Sequence, residues 1–285
     1  MVKKPMNQIN FGRGDAKVTT VGLGGEGILR TFGKTSEAEQ VILEALLQGI
    51  NYFDSGRVYA GSEGYYGTIW SKYPETRSRI FQTSKSASRD KEGARADLEK
   101  TLETLGVDHL DLWQIHDVRT ENDLARISGP GGALEAFVEA KKAGRVKFIG
   151  VTGHHDPYLL TRAITEWPLD SVMMPVNPVE GALSGFLDLA LPAAKKKGIA
   201  IIAMKVLGSG HYIFPDQGIT ADVLIRFALS QEVTVAIVGC VSRKEVQTLA
   251  NLGRDWKPFS LGEQKEIIDF FRPYAAKLAH YRGVL

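Results

Sequence analysis

Eight times along this chain a short apolar or β-branched run is followed by an amphipathic segment of helical period. The first four pairs are 18–24 with 36–48, 50–54 with 64–72, 80–85 with 91–105, and 109–116 with 133–143. The second four are 146–152 with 158–166, 171–176 with 186–197, 200–205 with 221–229, and 235–239 with 243–251. Units of this kind, spaced by roughly 25–35 residues, predict an α/β fold: a closed parallel (β/α)8 TIM barrel forming a single domain over 1–285. An open doubly wound sheet is the alternative. Against it, no GxGxxG joins the first strand to its helix, and candidate polar residues recur at several strand ends instead of at one crevice. Residues 1–20 are expected to form a hairpin closing the barrel floor, turning at Gly12-Arg13-Gly14-Asp15. Residues 262–280 are expected to add a C-terminal extra helix.

Local signals support the helices. Thr35-Ser36-Glu37 suits an N-cap, and Gly49, Gly106, Gly144 and Gly198 follow helical patterns where a left-handed residue is wanted. With 35 basic and 33 acidic side chains the net charge is only +2, too weak a field to argue for nucleic acid or an anionic membrane. No apolar run of the ~18 residues needed to span a bilayer occurs. The lysines at the N-terminus have no apolar stretch behind them, so no signal peptide is expected. Cys240 is the one cysteine, which precludes an intrachain disulfide and fits a reducing cytoplasm; its apolar strand predicts a small buried hydrophobe.

Barrel chemistry collects at the C-terminal ends of strands. The second strand ends at Asp54, with Tyr59 in the loop beyond; the third ends at Lys85 and the fourth at His116. A lysine held charged by an aspartate would stabilise a neighbouring phenolate, lowering the Tyr59 pKa and making it a usable general acid. His116 could orient a carbonyl or relay the proton. Taken singly, Asp54 could cap a helix, Lys85 could be a surface or Schiff-base lysine, and His116 could be structural. Together the four suit protonation of an oxygen as a carbonyl becomes an alcohol. Side chains supply no hydride, so a cofactor must. The pair His154-His155 would make a ligand set with His116 and Asp54, but Lys85 would repel a cation there, so no metal is expected. Asp156 before Pro157 reads as a helix N-cap.

These residues resemble the aldo-keto reductases. The resemblance is carried by Asp54-Ser55-Gly56-Arg57-Val58-Tyr59, Thr83-Ser84-Lys85 and Leu112-Trp113-Gln114-Ile115-His116. It extends to Val21-Gly22-Leu23-Gly24-Gly25, to residues 145–152 and to Val238-Gly239. It implies reduction of a small carbonyl substrate, with NADP(H) the default cofactor and NAD(H) left open, Tyr59 as general acid, Lys85 and Asp54 tuning it, and His116 orienting the substrate. The implied cofactor contacts are Gly24, Thr152, Asn177, Met204, Lys205, Leu207, Ser209, Gly239, Ser242 and Arg243. The chain departs from the family where the carboxamide is usually held: Thr152, Gly153 and Met173 stand in place of Ser-Asn and Gln. His154 or Asn177 could compensate. Met204 stands where an aromatic ring often stacks on the nicotinamide, and Lys205 would face the pyrophosphate. Ser242 and Arg243 could hold an adenosine phosphate, or be an N-cap and a solvated charge; Thr248-Leu249 replaces the usual Glu-Asn. Two other functions remain open: a nucleotide-binding regulatory barrel, and a Schiff-base aldolase using Lys85 or Lys205. The loops 26–31, 119–132 and 209–217 would wall the substrate site. With Arg30, Phe32, His211, Tyr212 and Phe214 nearby, they suit a polar or an aromatic carbonyl equally.

Overall fold

A computed structural model describes residues 4–283. Ten strands occur among them: β1 (Gln8–Asn10), β2 (Lys17–Thr19), β3 (Val21–Gly27), β4 (Tyr52–Phe53), β5 (Phe81–Ser86), β6 (Leu110–Ile115), β7 (Val146–Thr152), β8 (Ser171–Pro175), β9 (Ala200–Met204) and β10 (Val235–Cys240). Strands β3 to β10 pair in parallel and in chain order, and β10 closes on β3. The barrel is therefore the expected (β/α)8 architecture.

The pleat sorts each strand's side chains. Residues one apart face opposite sides, so alternate positions enter the barrel or pack under the helices. On the inside lie Tyr52, Phe81, Leu112, Met173, Ile202, Val235 and Ile237. Outside, Val21, Leu23, Trp113, Val151 and Val172 meet the helical shell. Trp113 stacks on Phe137 of the helix Ala133–Lys142, with centroids 3.5 Å apart.

The hairpin forms at the barrel floor, from β1 paired antiparallel to β2; residues 1–3 of the segment expected there lie outside the described residues. Phe11, at its turn, is 1% exposed and meets Phe81 at 4.7 Å and Phe148 at 5.1 Å between centroids. Gly12 adopts φ +59°, and a side chain there would come within 2.9 Å of the Ala200 nitrogen. The turn thus presses against the starts of the strands and plugs the barrel from below.

Four segments differ from the sequence expectation. The first barrel strand begins at Val21; Val18 belongs to the hairpin strand β2 and packs with Phe11 instead of pairing with β10. The alternation simply runs through both strands, so periodicity cannot divide them. Residues 119–132, expected as loop, contain a helix, Glu121–Ser128, whose Thr120 and Asp123 form a capping box. The segment 186–197 opens as a π-helical turn, Phe186–Ala190, before becoming α-helical at Leu191–Lys197, because Pro192 has no N–H to continue the regular ladder. The final helix, Leu261–Phe271, stops where Pro273 interrupts it, and the chain continues through Ala275–Leu278 to the turn His280–Arg282.

Cys240 is 1% exposed, and burial pushes its thiol up to about 12. The native protein should therefore resist a thiol reagent at neutral pH and react fully only once denatured; rapid labelling of the folded chain would contradict this burial. Truncating the floor plug, Phe11→Ala, should cost about 3–5 kcal/mol of stability in denaturant titration. A loss below about 1 kcal/mol would show that the plug carries little packing energy.

Candidate active site

Inward alternation along β5 places Phe81, Thr83 and Lys85 on the interior side, so the lysine rises from the floor's apolar layer toward the mouth. Asp54 follows β4 directly and is fixed by its backbone N–H, which donates to the Leu23 carbonyl at 2.9 Å. The Lys85 side chain is 0% exposed. A buried ammonium needs full compensation, and Lys85 has it: Nζ donates to both Asp54 oxygens at 2.7 Å and to the Ser55 carbonyl at 2.7 Å. All three of its protons are committed. Thr83 Oγ1 donates to Asp54 Oδ1 at 3.0 Å and holds the carboxylate from a second side.

Tyr59 lies in the loop beyond Asp54, 7% exposed. Its ring packs over the ammonium, with Lys85 Nζ 4.5 Å from the centroid, and meets the His116 ring edge-on at 5.5 Å. Arg30 approaches the same ring, its guanidinium carbon 5.1 Å from the centroid. Gly25 permits this packing, because a Cβ there would sit 2.8 Å from Tyr59 Cδ2 and 2.8 Å from the Asp54 carbonyl oxygen. His116 follows β6; its N–H donates to the Ser86 carbonyl at 2.8 Å and its own carbonyl accepts from Arg89 at 2.7 Å. The four residues thus meet at one end of the barrel. Asp54 caps no helix: the next one, Ser62–Lys72, starts beyond Gly61.

The electrostatics depart from the sequence expectation at Tyr59. Burial, then the negative charges of Asp54 and Glu26, push its phenol well above the ordinary 10, and Arg30 only partly opposes them. The Lys85–Asp54 pair was expected to lower it. Lys85 instead spends its protons on Asp54 and Ser55, so the tyrosine faces a neutralised pair in a desolvated setting. Burial also pulls the Lys85 ammonium below its ordinary value, against the attraction of Asp54. Burial and the nearby Lys85 charge push the His116 imidazole down to about 3, so it is neutral at physiological pH.

The residues proposed for cofactor contact fall into three groups. Gly24 and Gly239 have a packing reason: side chains on them would come within 2.9 Å of the Gly239 nitrogen and 2.8 Å of the Glu26 carbonyl carbon. Asn177 is 0% exposed and internally engaged. Its Oδ1 caps the helix Pro178–Ala182 through Glu180 N, and its Nδ2 donates to the Lys205 carbonyl and to the Tyr281 hydroxyl oxygen. Both ends of its amide are thus engaged within the protein. Ser242 caps the helix Arg243–Arg254, and Arg243 pairs with buried Glu44 at 2.8 Å.

The third group stays available. Thr152 Oγ1 accepts from the Asp117 N–H at 2.8 Å, which leaves its own proton to donate. Met204 is half-buried at the end of β9. Lys205 has no carboxylate partner among the described residues; its Nζ rests 5.8 Å from the Tyr281 ring centroid. Leu207 is half-buried, and Ser209 is exposed on a turn where Gly208, Ser209 and Gly210 all take positive φ. A free ammonium, an exposed hydroxyl and a glycine-rich turn at one strand end form a donor set that fits a diphosphate.

Sequence reasoning missed three contributors. Gln114 is fully buried one inward position below His116, and neither of its amide atoms has a hydrogen-bond partner among the described residues. A polar residue at an inward strand position was a readable signal for it. Asp117 holds a left-handed backbone, φ +58°, and its side chain faces His154 and His155. The histidine pair thus meets Asp117, not Asp54; Asp156 caps the helix Pro157–Glu166 as expected. Tyr281, whose hydroxyl donates to Glu180 at 2.6 Å, reaches the rim from over a hundred residues away, and no local pattern announces that.

Comparison with known proteins agrees with this geometry. A profile of the Aldo/keto reductase family matches residues 20–213. The chain is 30% identical over 228 residues to an L-galactose dehydrogenase from Arabidopsis thaliana, covering 73% of this chain and 67% of that one. It is 26% identical over 223 residues to an aldo-keto reductase of Schizosaccharomyces pombe designated for NADP(+), covering 71% and 63%. The chain thus spans about two thirds of the length of these curated relatives. An aldo-keto reductase from Bacillus halodurans, solved in its holo form, superposes with a TM-score of 0.75 at 18% identity, covering 98% of each chain. The likeness of fold, the profile match and the sequence relatives converge: the chain belongs to the aldo/keto reductase family.

Proposed function

We propose that the protein reduces an aldehyde or ketone to an alcohol with NADP(H), using Tyr59 as the general acid. The observation that carries this reading is the buried Tyr59 phenol packed against both the Lys85 ammonium and the His116 ring. A phenol whose proton is held tightly at neutral pH is an acid ready to give that proton to an oxygen gaining negative charge. His116, neutral, can donate one hydrogen bond to the carbonyl oxygen and orient it toward Tyr59. Lys85 supplies a fixed positive charge beneath the phenol, stabilising the phenolate left once the proton has moved. Asp54 keeps that cation in place.

The reduced nicotinamide, when bound, supplies the hydride. Lys205 and Ser209 would take its diphosphate, Thr152 would donate to its carboxamide, and Met204 would pack against the ring. Arg243, beside Lys244, would meet an adenosine phosphate if its pairing with Glu44 leaves a guanidinium N–H outward. Schiff-base chemistry at Lys85 is disfavoured, because an amine nucleophile needs a free lone pair and this one is held as a fully committed ammonium. A soluble cytoplasmic enzyme is consistent with this reading; no described helix is long and apolar enough to cross a membrane.

Removing the Tyr59 hydroxyl, Tyr59→Phe, should cut carbonyl reduction at least ~100-fold. NADPH binding, followed by fluorescence titration, should persist in that variant. Comparable turnover in the variant, or a wild-type protein that neither binds NADPH nor oxidises it with any of a panel of aldehydes and ketones, would refute the reading. The reduction rate should stay level from about pH 6 to 8, since burial holds the phenol proton well above its ordinary value; as pH rises further the first loss should come from the Lys85 charge, which burial pulls down, and only later from the phenol.

A further inference from the structure

We propose that Asp117, His154 and His155 form a binding site for one divalent transition-metal ion, zinc by ligand chemistry, at the rim of the barrel mouth. On the sequence alone the histidine pair would meet Asp54, beside the Lys85 charge, and no metal is expected there. The structure gives the pair a different carboxylate. His154 Nε2 lies 3.2 Å and His155 Nε2 3.8 Å from Asp117 Oδ1, and the three candidate ligand atoms fall within 4.8 Å of one another. Ligands on a tetrahedral zinc, with bonds near 2.0–2.1 Å, stand about 3.3–3.5 Å apart. Two imidazoles and a carboxylate with a further position open is a recurrent metal-binding set.

Two features besides proximity point to a cation. Asp117 is 8% exposed, yet among the described residues its Oδ1 accepts no hydrogen bond, and His155 Nε2 is likewise buried without one. Unsatisfied buried polar atoms are rare and call for a partner. The His154 tautomer is set from its far side: Nδ1 lies 3.0 Å from the Tyr281 carbonyl, which can only accept, so Nδ1 carries the proton. In the neutral ring Nε2 then presents a lone pair to a carboxylate oxygen, an arrangement that repels unless a positive centre lies between them. An imidazole N–H given to a backbone carbonyl is also how metal-binding histidines are oriented.

The carboxylate is held comparably. Asp117 Oδ2 accepts from Arg119 Nε at 2.7 Å, leaving Oδ1 to face the histidines. The backbone of Asp117 is fixed by its N–H to Thr152 Oγ1 and by Arg89, which donates to its carbonyl at 2.7 Å. The left-handed conformation held by these bonds is uncommon for a residue with a side chain and concentrates at functional sites. Lys85, whose charge Asp54 compensates, is not part of this cluster. Three protein ligands leave a fourth position for water or for an oxygen of a bound small molecule.

The test is metal binding, independent of turnover. Untagged full-length protein is stripped with a chelator, dialysed, and titrated with Zn2+ by calorimetry; Co2+ is added in parallel and its visible absorption recorded. The expected result is one ion per chain, with the intense bands of four-coordinate cobalt. His155→Ala and Asp117→Asn should each weaken zinc binding by more than roughly tenfold. His155 Nε2 makes no hydrogen bond among the described residues, so His155→Ala should melt like the wild type in chelator and lose only the zinc-dependent rise in melting temperature. Absence of stoichiometric uptake by the wild type would overturn the proposal and leave the cluster as a protonated histidine–aspartate pair. Wild-type affinity in both variants would also overturn it, placing the ion elsewhere.

Discussion

The contact on which the mouth of this barrel depends is the buried ion pair between Lys85 and Asp54. A lysine with no solvent exposure cannot stay charged without a close counter-ion and acceptors for its protons. Asp54 and the Ser55 carbonyl provide both, and in doing so they fix the loop that begins at the end of β4. Tyr59 then has little freedom: its ring is confined between the ammonium, the edge of His116 and the bare backbone of Gly25. Breaking the pair by removing one partner would leave the other as an uncompensated buried charge, which costs far more than the pair's net worth. The same desolvation explains why the phenol binds its proton so tightly in the protein alone. A cation already neutralised by its own aspartate lends less help to a phenolate than a free one would.

Much of the barrel was legible because its period is simple. Each buried parallel strand is a run of apolar residues, each helix has one apolar face, and the eight pairs leave few topologies to choose among. Asp54, Lys85 and His116 were legible for a related reason, since each is a polar residue ending an apolar run. What escaped were features without a period. Val18 and Val21 lie in one continuous β-branched stretch, yet a strand boundary falls between them. Asn177 looks like a polar group at a strand end, but its amide is absorbed in capping a helix and holding Tyr281. Asp117 follows His116 directly and was overlooked because its role depends on a left-handed turn that carries it toward the next strand's loop.

The two ends of the barrel use different physics. At the floor, aromatic side chains close the opening through Phe11, Phe81 and Phe148, a contact driven by apolar burial. At the mouth, the same inward positions switch to Asp54, Lys85, Gln114 and Thr152, all buried and polar. That change along single strands, over two to four residues, turns a structural core into a reactive surface.

The hydrogen bonds of Tyr281 have a bearing on how the molecule is made. The Lys85–Asp54 pair needs only the first third of the chain, but the rim around His154 and Asn177 is tied to a residue some hundred positions later. During synthesis, the segments that carry Asp54, Tyr59, Lys85 and His116 leave the ribosome long before the segment that completes the rim. Closing the barrel needs β10 to pair with β3, and the rim around His154 and Asn177 needs Tyr281 as well, so the mouth takes its final shape only once that distant segment has docked.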